Sequence, residues 1–203
     1  MSLDPTVIYS SVVFVHVLAA TALMGNSLFF TCTRAALRRA GTVDELRRWV
    51  DFAQRSAAAN PAAALVLLAT GVYLGSHGWW REPWFHFAVA VYLADLLYAV
   101  RAAHAALARV REAAAAAASG PVPAQLDAER WSSRLDGPYD FLLASDVAVL
   151  FVMFAKPSLL ECCAAFVVAN GVLLVLRRRR HAKRGALLPS AEDGERALAS
   201  PTP

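Results

Sequence analysis

Three ionisable side chains stand inside long apolar stretches of this sequence: His16, Asp95 and Asp146. Within a bilayer such groups are expensive, so by default they pair with one another or do chemistry. If a first helix begins near Val7, His16 lies roughly 13 to 15 Å along it. If another begins near Trp84, Asp95 lies roughly 16 Å along that one. Asp146 sits about 10 Å from the start of a helix running the other way, hence roughly 20 Å from the opposite face of a hydrocarbon core about 30 Å thick. The three groups thus converge on the middle of the bilayer. An imidazole there can ligate a metal or haem iron, and a carboxylate can orient the imidazole or relay protons. The plainer alternative is a hydrogen-bonded cluster that fixes helix register.

Helical faces support the convergence. At 100° per residue, Asp95 shares a face with Ala88, Val91, Tyr92, Tyr98, Ala99 and Ala102. His86, Leu93, Leu97 and His104 fall on the opposite side. His16 shares its face with Ala19, Ala20, Leu23 and Ser27. Both faces are rich in small residues and suit close packing in a bundle.

Further candidates lie nearer the ends of the apolar stretches. His77, His86, Glu161, Cys162 and Cys163 gather towards one face, where they would suit a metal site. Interfacial polar residues with no ligand are the alternative. Asn26 and Asn170 are placed to bond across helices, and Arg101 with Asp140 to form an ion pair near the other face. No CxxC pair, HExxH, P-loop, GxGxxG or Ser-His-Asp constellation occurs. The reading leans away from an enzyme.

The elements that must position these groups follow from composition. The chain has 203 residues, 58% hydrophobic and only 18% charged, with mean hydropathy +0.43. That excludes a disordered chain, a disulfide scaffold and an ordinary cytosolic enzyme, and points to an all-α polytopic transmembrane bundle. Five spans are expected, at about 7–31, 61–76, 84–106, 139–155 and 159–176. Asn60-Pro61 is expected to cap and open the second span, and Pro138 the fourth. Gly71 and Gly75 stand at GxxxG spacing, which favours tight packing within the chain over dimerisation. Between the first two spans, residues 42–59 place Val43, Leu46, Trp49, Val50 and Ala53 on one side. That stripe makes an amphipathic helix at the interface or capping the bundle. Trp79, Trp80 and Trp84 read as an aromatic belt. Residues 1–180 form the bundle, and residues 181–203, polar and poor in aromatics, a disordered cytoplasmic tail.

Net charge is +4, but topology explains it better than nucleic acid does. With the N-terminus outside, 18 basic residues fall on the inner side and two, Arg81 and Lys156, on the outer. Abundant Arg and Ala suggest a bacterial genome, and so a bacterial plasma (inner) membrane with the C-terminus cytoplasmic. The lipid bilayer is the expected partner, nucleic acid is not, and a homo-oligomer or a membrane partner stays open.

The run His16-Val17-Leu18-Ala19-Ala20, with Gly25 beyond it, resembles the first helix of several small bacterial membrane families. Thr70-Gly71-Val72-Tyr73 with its Trp-rich turn, and the Lys156-Pro157 close, extend the likeness over most of residues 7–157. On these features the chain resembles the predicted integral membrane family known as domain of unknown function 2269. More distantly it is similar to the copper-resistance D membrane domain and to HemJ-type protoporphyrinogen oxidase. Those families also begin with a histidine in the first helix, and HemJ-type proteins bind haem. The resemblance therefore implies His16 as a haem ligand, and the depth reading adds Asp95 and Asp146 to orient it or relay protons.

Three functions stay open: a haem- or metal-binding redox protein using His16, a transporter or proton-coupled permease subunit using Asp95 and Asp146, and a structural membrane protein. The charge asymmetry also yields a topology test. A periplasm-active reporter should be active within the Trp79–Arg81 turn and silent after Arg184. The reverse pattern would overturn the assignment.

Overall fold

The computed structural model describes residues 4–187. Among them are eight α-helices: α1 Pro5–Arg39, α2 Val43–Ala57, α3 Asn60–Leu74, α4 Pro83–Tyr98, α5 His104–Ala116, α6 Ala124–Arg130, α7 Ser133–Ala155 and α8 Leu159–Leu187. π-helical segments extend α3 over Gly75–Trp79 and join α4 to α5 over Ala99–Ala103. Five continuous helical stretches are long and apolar enough to cross a membrane: Pro5–Arg39, Val43–Trp79, Pro83–Ala116, Ala124–Ala155 and Leu159–Lys183. The five expected spans are all present, each longer than its apolar run.

Local chemistry explains the extra length. Asp4 caps α1, its carboxylate accepting from the Thr6 N–H at 2.9 Å, ahead of a first-turn proline. Ser132 caps α7, so that helix starts at Ser133 and Pro138 falls inside it instead of opening it. The proline costs the Arg134 carbonyl its donor, and Arg134 is exposed and open to other partners. Asn60 is not a cap either. Ala58 and Ala59 keep right-handed helical angles, so α2 runs into α3 with hardly a break. Helix α8 passes Leu176 and includes residues 181–187 of the expected tail, because its basic side chains pack onto α7. Residues 188–203 of that tail lie outside the described residues.

Helix α7 is central. It packs against α1, α4 and α8 and touches α5, while α3 packs along α1. Of its apolar window 39% is buried, against 6% for α1, α3 and α8, whose large apolar side chains face outward as lipid-facing surfaces do.

The largest buried core is not in the apolar bands but at the end of the molecule rich in arginine. There Val43, Leu46, Val50 and Ala53 of α2 meet Phe30 and Leu37 of α1, Leu107 and Val110 of α5, Leu126 of α6 and Tyr139 of α7. Helix α2 thus caps the bundle, with Val43, Leu46, Val50 and Ala53 of its apolar stripe buried and Trp49 partly so. Two arginines close helix ends in this core. Arg130 donates to the carbonyls of Leu37 and Ala40 at 2.9 and 2.6 Å, and Arg47 to those of Ala114, Ala115 and Ala117. Each supplies donors that helix C-termini lack and positive charge where the dipole favours it.

At the opposite end, Lys156 takes a left-handed conformation, φ 48°, to turn α7 into α8. Its ammonium lies 3.8 Å from the Trp79 ring centre and 5.8 Å from that of Trp84. The expected belt of three tryptophans is corrected here. Trp80 is exposed, whereas Trp84 is buried with Phe85, Ala88, Val152 and Cys162. Trp84 meets Val152 of α7 and Cys162 of α8, so it packs inward.

Leu46→Ala should lower stability by about 2–5 kcal/mol, because a fully buried side chain leaves a cavity. Phe154→Ala, at a side chain 91% exposed, should change little. Thermal unfolding of both variants in detergent checks the contrast.

Candidate functional site

At the arginine-rich end, α1 and α7 run antiparallel and present charges one turn apart. Arg34 and Arg38 lie on one face of α1, Asp136 and Asp140 on one face of α7. Arg34 donates to the Asp136 carbonyl at 3.2 Å and its carboxylate at 3.3 Å, to Asp140 at 2.9 Å and to Thr31 at 3.3 Å. Arg38 also donates to Asp136 and lies over the Trp131 ring. From α8, Arg180 donates to Asp140 at 2.7 Å, and His181 Nε2 lies 3.0 Å from Asp136. The side chains of Arg34, Asp136 and Asp140 are only 4%, 1% and 6% exposed. Tyr139 stacks on Phe30 and donates to the Ala103 carbonyl, which walls the network off from α5. The expected pair of Arg101 with Asp140 does not form. Asp140 is held by Arg34 and Arg180, and Arg101 points outward.

Deeper in the apolar band, a second polar group joins α1, α4 and α7. Asp146 lies six residues beyond Asp140, about 9 Å along α7. Its carboxylate accepts from Ser27 of α1 at 2.5 Å. From α4, Asp95 faces Ser145 and lies near Asp146. Asp95 Oδ1 and Ser145 Oγ are both buried with no well-aligned hydrogen bond, and the Asp95 carboxylate interacts with the Ser145 side chain. Around Asp95, Ala88 is buried and Val91, Tyr92, Ala99 and Ala102 are half-buried, while His86, Leu93, Leu97 and His104 are exposed. Tyr92 donates to the Ala64 carbonyl at 2.7 Å and ties α4 to α3.

His16 stands elsewhere. Its Nδ1 pairs with Thr70 of α3 at 2.9 Å, and its ring lies against Gly71. A Cβ on Gly71 would come within 3.3 Å of His16 Cε1, so the glycine leaves room for the imidazole. Gly75, a turn on, makes room for Phe85 of α4 in the same way. The two glycines therefore serve packing within the chain. Ser27, which holds Asp146, follows His16 by eleven residues, about 16 Å along α1. The structure brings Asp95 and Asp146 together and leaves His16 apart. The expectation of one three-membered layer is corrected on this point, because α7 lies against the later turns of α1 and α3 receives the earlier ones.

The candidates near the tryptophan turn do not converge. His77 Nδ1 pairs with the Tyr73 carbonyl and His86 Nε2 with that of Trp80, each at 2.8 Å. Glu161 accepts from Ser158 at the start of α8. Cys162 is buried and Cys163 exposed. Among the described residues no three His, Cys, Asp or Glu side chains are grouped to hold a metal ion. Asn170 donates to Phe166 of its own helix and not across helices.

Residues 10–157 match a family model described as a predicted integral membrane protein, DUF2269. The chain belongs to this family. The matched part of this DUF2269 protein includes His16, Asp95, Ser145 and Asp146 but not α8, so the Arg180 and His181 arms of the ion-pair network come from beyond it. No curated protein and no solved structure matches the chain. The wider likeness to copper-resistance D and HemJ-type proteins finds no counterpart in these comparisons.

Arg34, Arg38, Asp136, Arg180 and His181 were not singled out by sequence reasoning. The signal was present as opposite charges at i, i+4 on two helices, but nothing in the sequence said that the two stripes meet. Asp136→Ala should destabilise the DUF2269 bundle by roughly 3–5 kcal/mol, since it leaves buried guanidinium groups without their carboxylate. Asp44→Ala, which breaks an exposed pair with Arg47, should cost under about 1 kcal/mol. Chemical unfolding of the two variants in detergent provides the comparison.

Proposed function

We propose that this integral membrane protein carries a proton in its membrane-embedded part, between Asp95 and Asp146, and acts as a proton-coupled permease or as a subunit of one. The observation that supports this reading is the meeting of Asp95 with Ser145 and Asp146 inside the apolar band, where the buried Asp95 Oδ1 and Ser145 Oγ face each other without a well-aligned hydrogen bond. Two carboxylates in an apolar segment repel each other and forgo water. A cation held between them removes both penalties, and a proton is the smallest. With a proton on Asp95 the acid gains an O–H that Ser145 can accept, and Ser145 can in turn donate to a neighbouring carboxylate. Ser27 holds Asp146 in place from α1. The small residues along the Asp95 face of α4, Ala88, Ala99 and Ala102, favour close packing of α4 on α7.

The haem reading meets a different arrangement. The edge of the His16 ring that carries Nδ1 and Cε1 is turned into the contact between α1 and α3, against Thr70 and Gly71. Asp95 and Asp146 belong to another layer and cannot orient the imidazole from there. The residues present do not fit a haem held by His16 with the two carboxylates behind it.

Infrared difference spectroscopy of the reconstituted protein tests the proposal. A carboxylic acid C=O band should grow and fade as pH is cycled, shift in heavy water, and vanish in Asp95→Asn. His16→Ala should leave it in place. Absence of any such band in the wild type, or its persistence in both Asp95→Asn and Asp146→Asn, would defeat the reading.

A further inference from the structure

Helix α8 ends its apolar run at Leu176 and continues with Arg177, Arg178, Arg179, Arg180, His181, Ala182 and Lys183. Its acidic residue, Glu161, is at the far end of the helix and is occupied with Ser158. The basic end of α8 therefore has no compensating charge of its own.

Three of its side chains set how it is rotated. Arg180 reaches Asp140, His181 reaches Asp136, and Arg177 packs onto the backbone at Gly137, where a Cβ would lie 2.9 Å from its Nη1. At 100° per residue these three share one face. Arg178, Arg179 and Lys183 are thereby turned away from α7, and all three are exposed. Arg179 and Lys183 are like charges at i, i+4, which repel. Among the described residues neither they nor Arg178 form an ion pair.

The nearest acids cannot relieve them. Asp136 already serves Arg34, Arg38 and His181, and Asp140 serves Arg34 and Arg180. Three guanidinium groups face two carboxylates, so the network itself keeps a positive excess. The Nε atoms of Arg34, Arg38 and Arg180 are buried with no hydrogen-bond partner. This uncompensated charge lies where an apolar segment stops, which is the level of the phospholipid phosphates. Basic clusters immediately beyond a span attract anionic lipids, and a guanidinium fork matches two phosphate oxygens.

We infer that Arg178, Arg179 and Lys183 on the outward face of α8 bind the phosphate of an anionic phospholipid, which supplies the negative partner that these three side chains lack among the described residues. The charge complementarity selects the headgroup, and the adjoining apolar surface of α8, with Val172, Val175 and Leu176 exposed, receives the acyl chains.

The full chain can be placed in nanodiscs of phosphatidylcholine containing a minor share of phosphatidylglycerol, released into mild detergent, and its retained lipids counted by native mass spectrometry. The wild type should retain phosphatidylglycerol in preference to phosphatidylcholine. The double variant R178Q/R179Q should weaken that retention roughly 25-fold, each arginine near the surface contributing about a factor of five. The double variant R48Q/R55Q removes the same charge from exposed positions on α2 and should retain the lipid as the wild type does. Equal retention by R178Q/R179Q and wild type would overturn the inference. So would equal losses in both double variants, which would mean a response to net charge alone. Displacement of the retained phosphatidylglycerol by millimolar inorganic phosphate would also overturn it, by assigning the site to a free ion.

Discussion

The buried ion-pair network of Arg34, Asp136, Asp140 and Arg180 is the interaction on which this bundle most depends. In lipid, apolar helix faces gain little by leaving one membrane-facing environment for another. Association must then come from close packing, from polar contacts and from whatever core forms outside the apolar band. All three meet at the arginine-rich end. The network joins α1, α7 and α8 there, and the largest buried cluster, built by α1, α2, α5, α6 and α7, lies beside it. Two further arginines, Arg47 and Arg130, close the exposed carbonyls of α5 and α1. Away from that end the helices keep most of their large apolar side chains outward.

This distribution bears on the polar group in the apolar band. Asp146 is on the same helix as Asp136 and Asp140, and Ser27 on the same helix as Thr31 and Arg34. Once the network sets the register of α7 against α1, Asp146 has to arrive opposite Ser27. The Lys156 contact with Trp79 and Trp84, together with the packing of Phe85 on Gly75, settles α4 from the other end. Asp95 is then held against Ser145 by anchors at both ends of the molecule. The two buried oxygens there meet without a well-aligned hydrogen bond because the positions of α4 and α7 are set by contacts elsewhere.

Much of the fold was legible in the sequence, and for identifiable reasons. Apolar runs near the length of a bilayer announce spans whatever they pack against, so five were countable. The one-sided stripe of Val43, Leu46, Val50 and Ala53 announced a helix with one face to bury. Boundaries were less legible. Hydropathy ends at Leu176, but the helix goes on because Arg180 and His181 find carboxylates on α7. Pro138 looked like a helix start, whereas Ser132 supplies the cap six residues earlier.

For the polar interior, residue type and helical face could be read from the chain, and partners could not. The face of α4 that carries Asp95 follows from a 100° periodicity, and most of it turns inward, while Tyr98 on that face is exposed. That His16 belongs with Thr70, a full 16 Å or so along α1 from the partner of Asp146, does not follow from any spacing within one helix. Depth counted from each helix start assumed that the spans begin level, and the helices are staggered instead. The sequence by itself determined an all-helical membrane protein of five spans, with a charged end and a few costly polar groups inside. Tertiary structure alone decided which of those groups meet. Contacts between helices depend on relative shift and rotation, and those are set by ion pairs, hydrogen bonds and packing between residues as far as 119 positions apart in the chain.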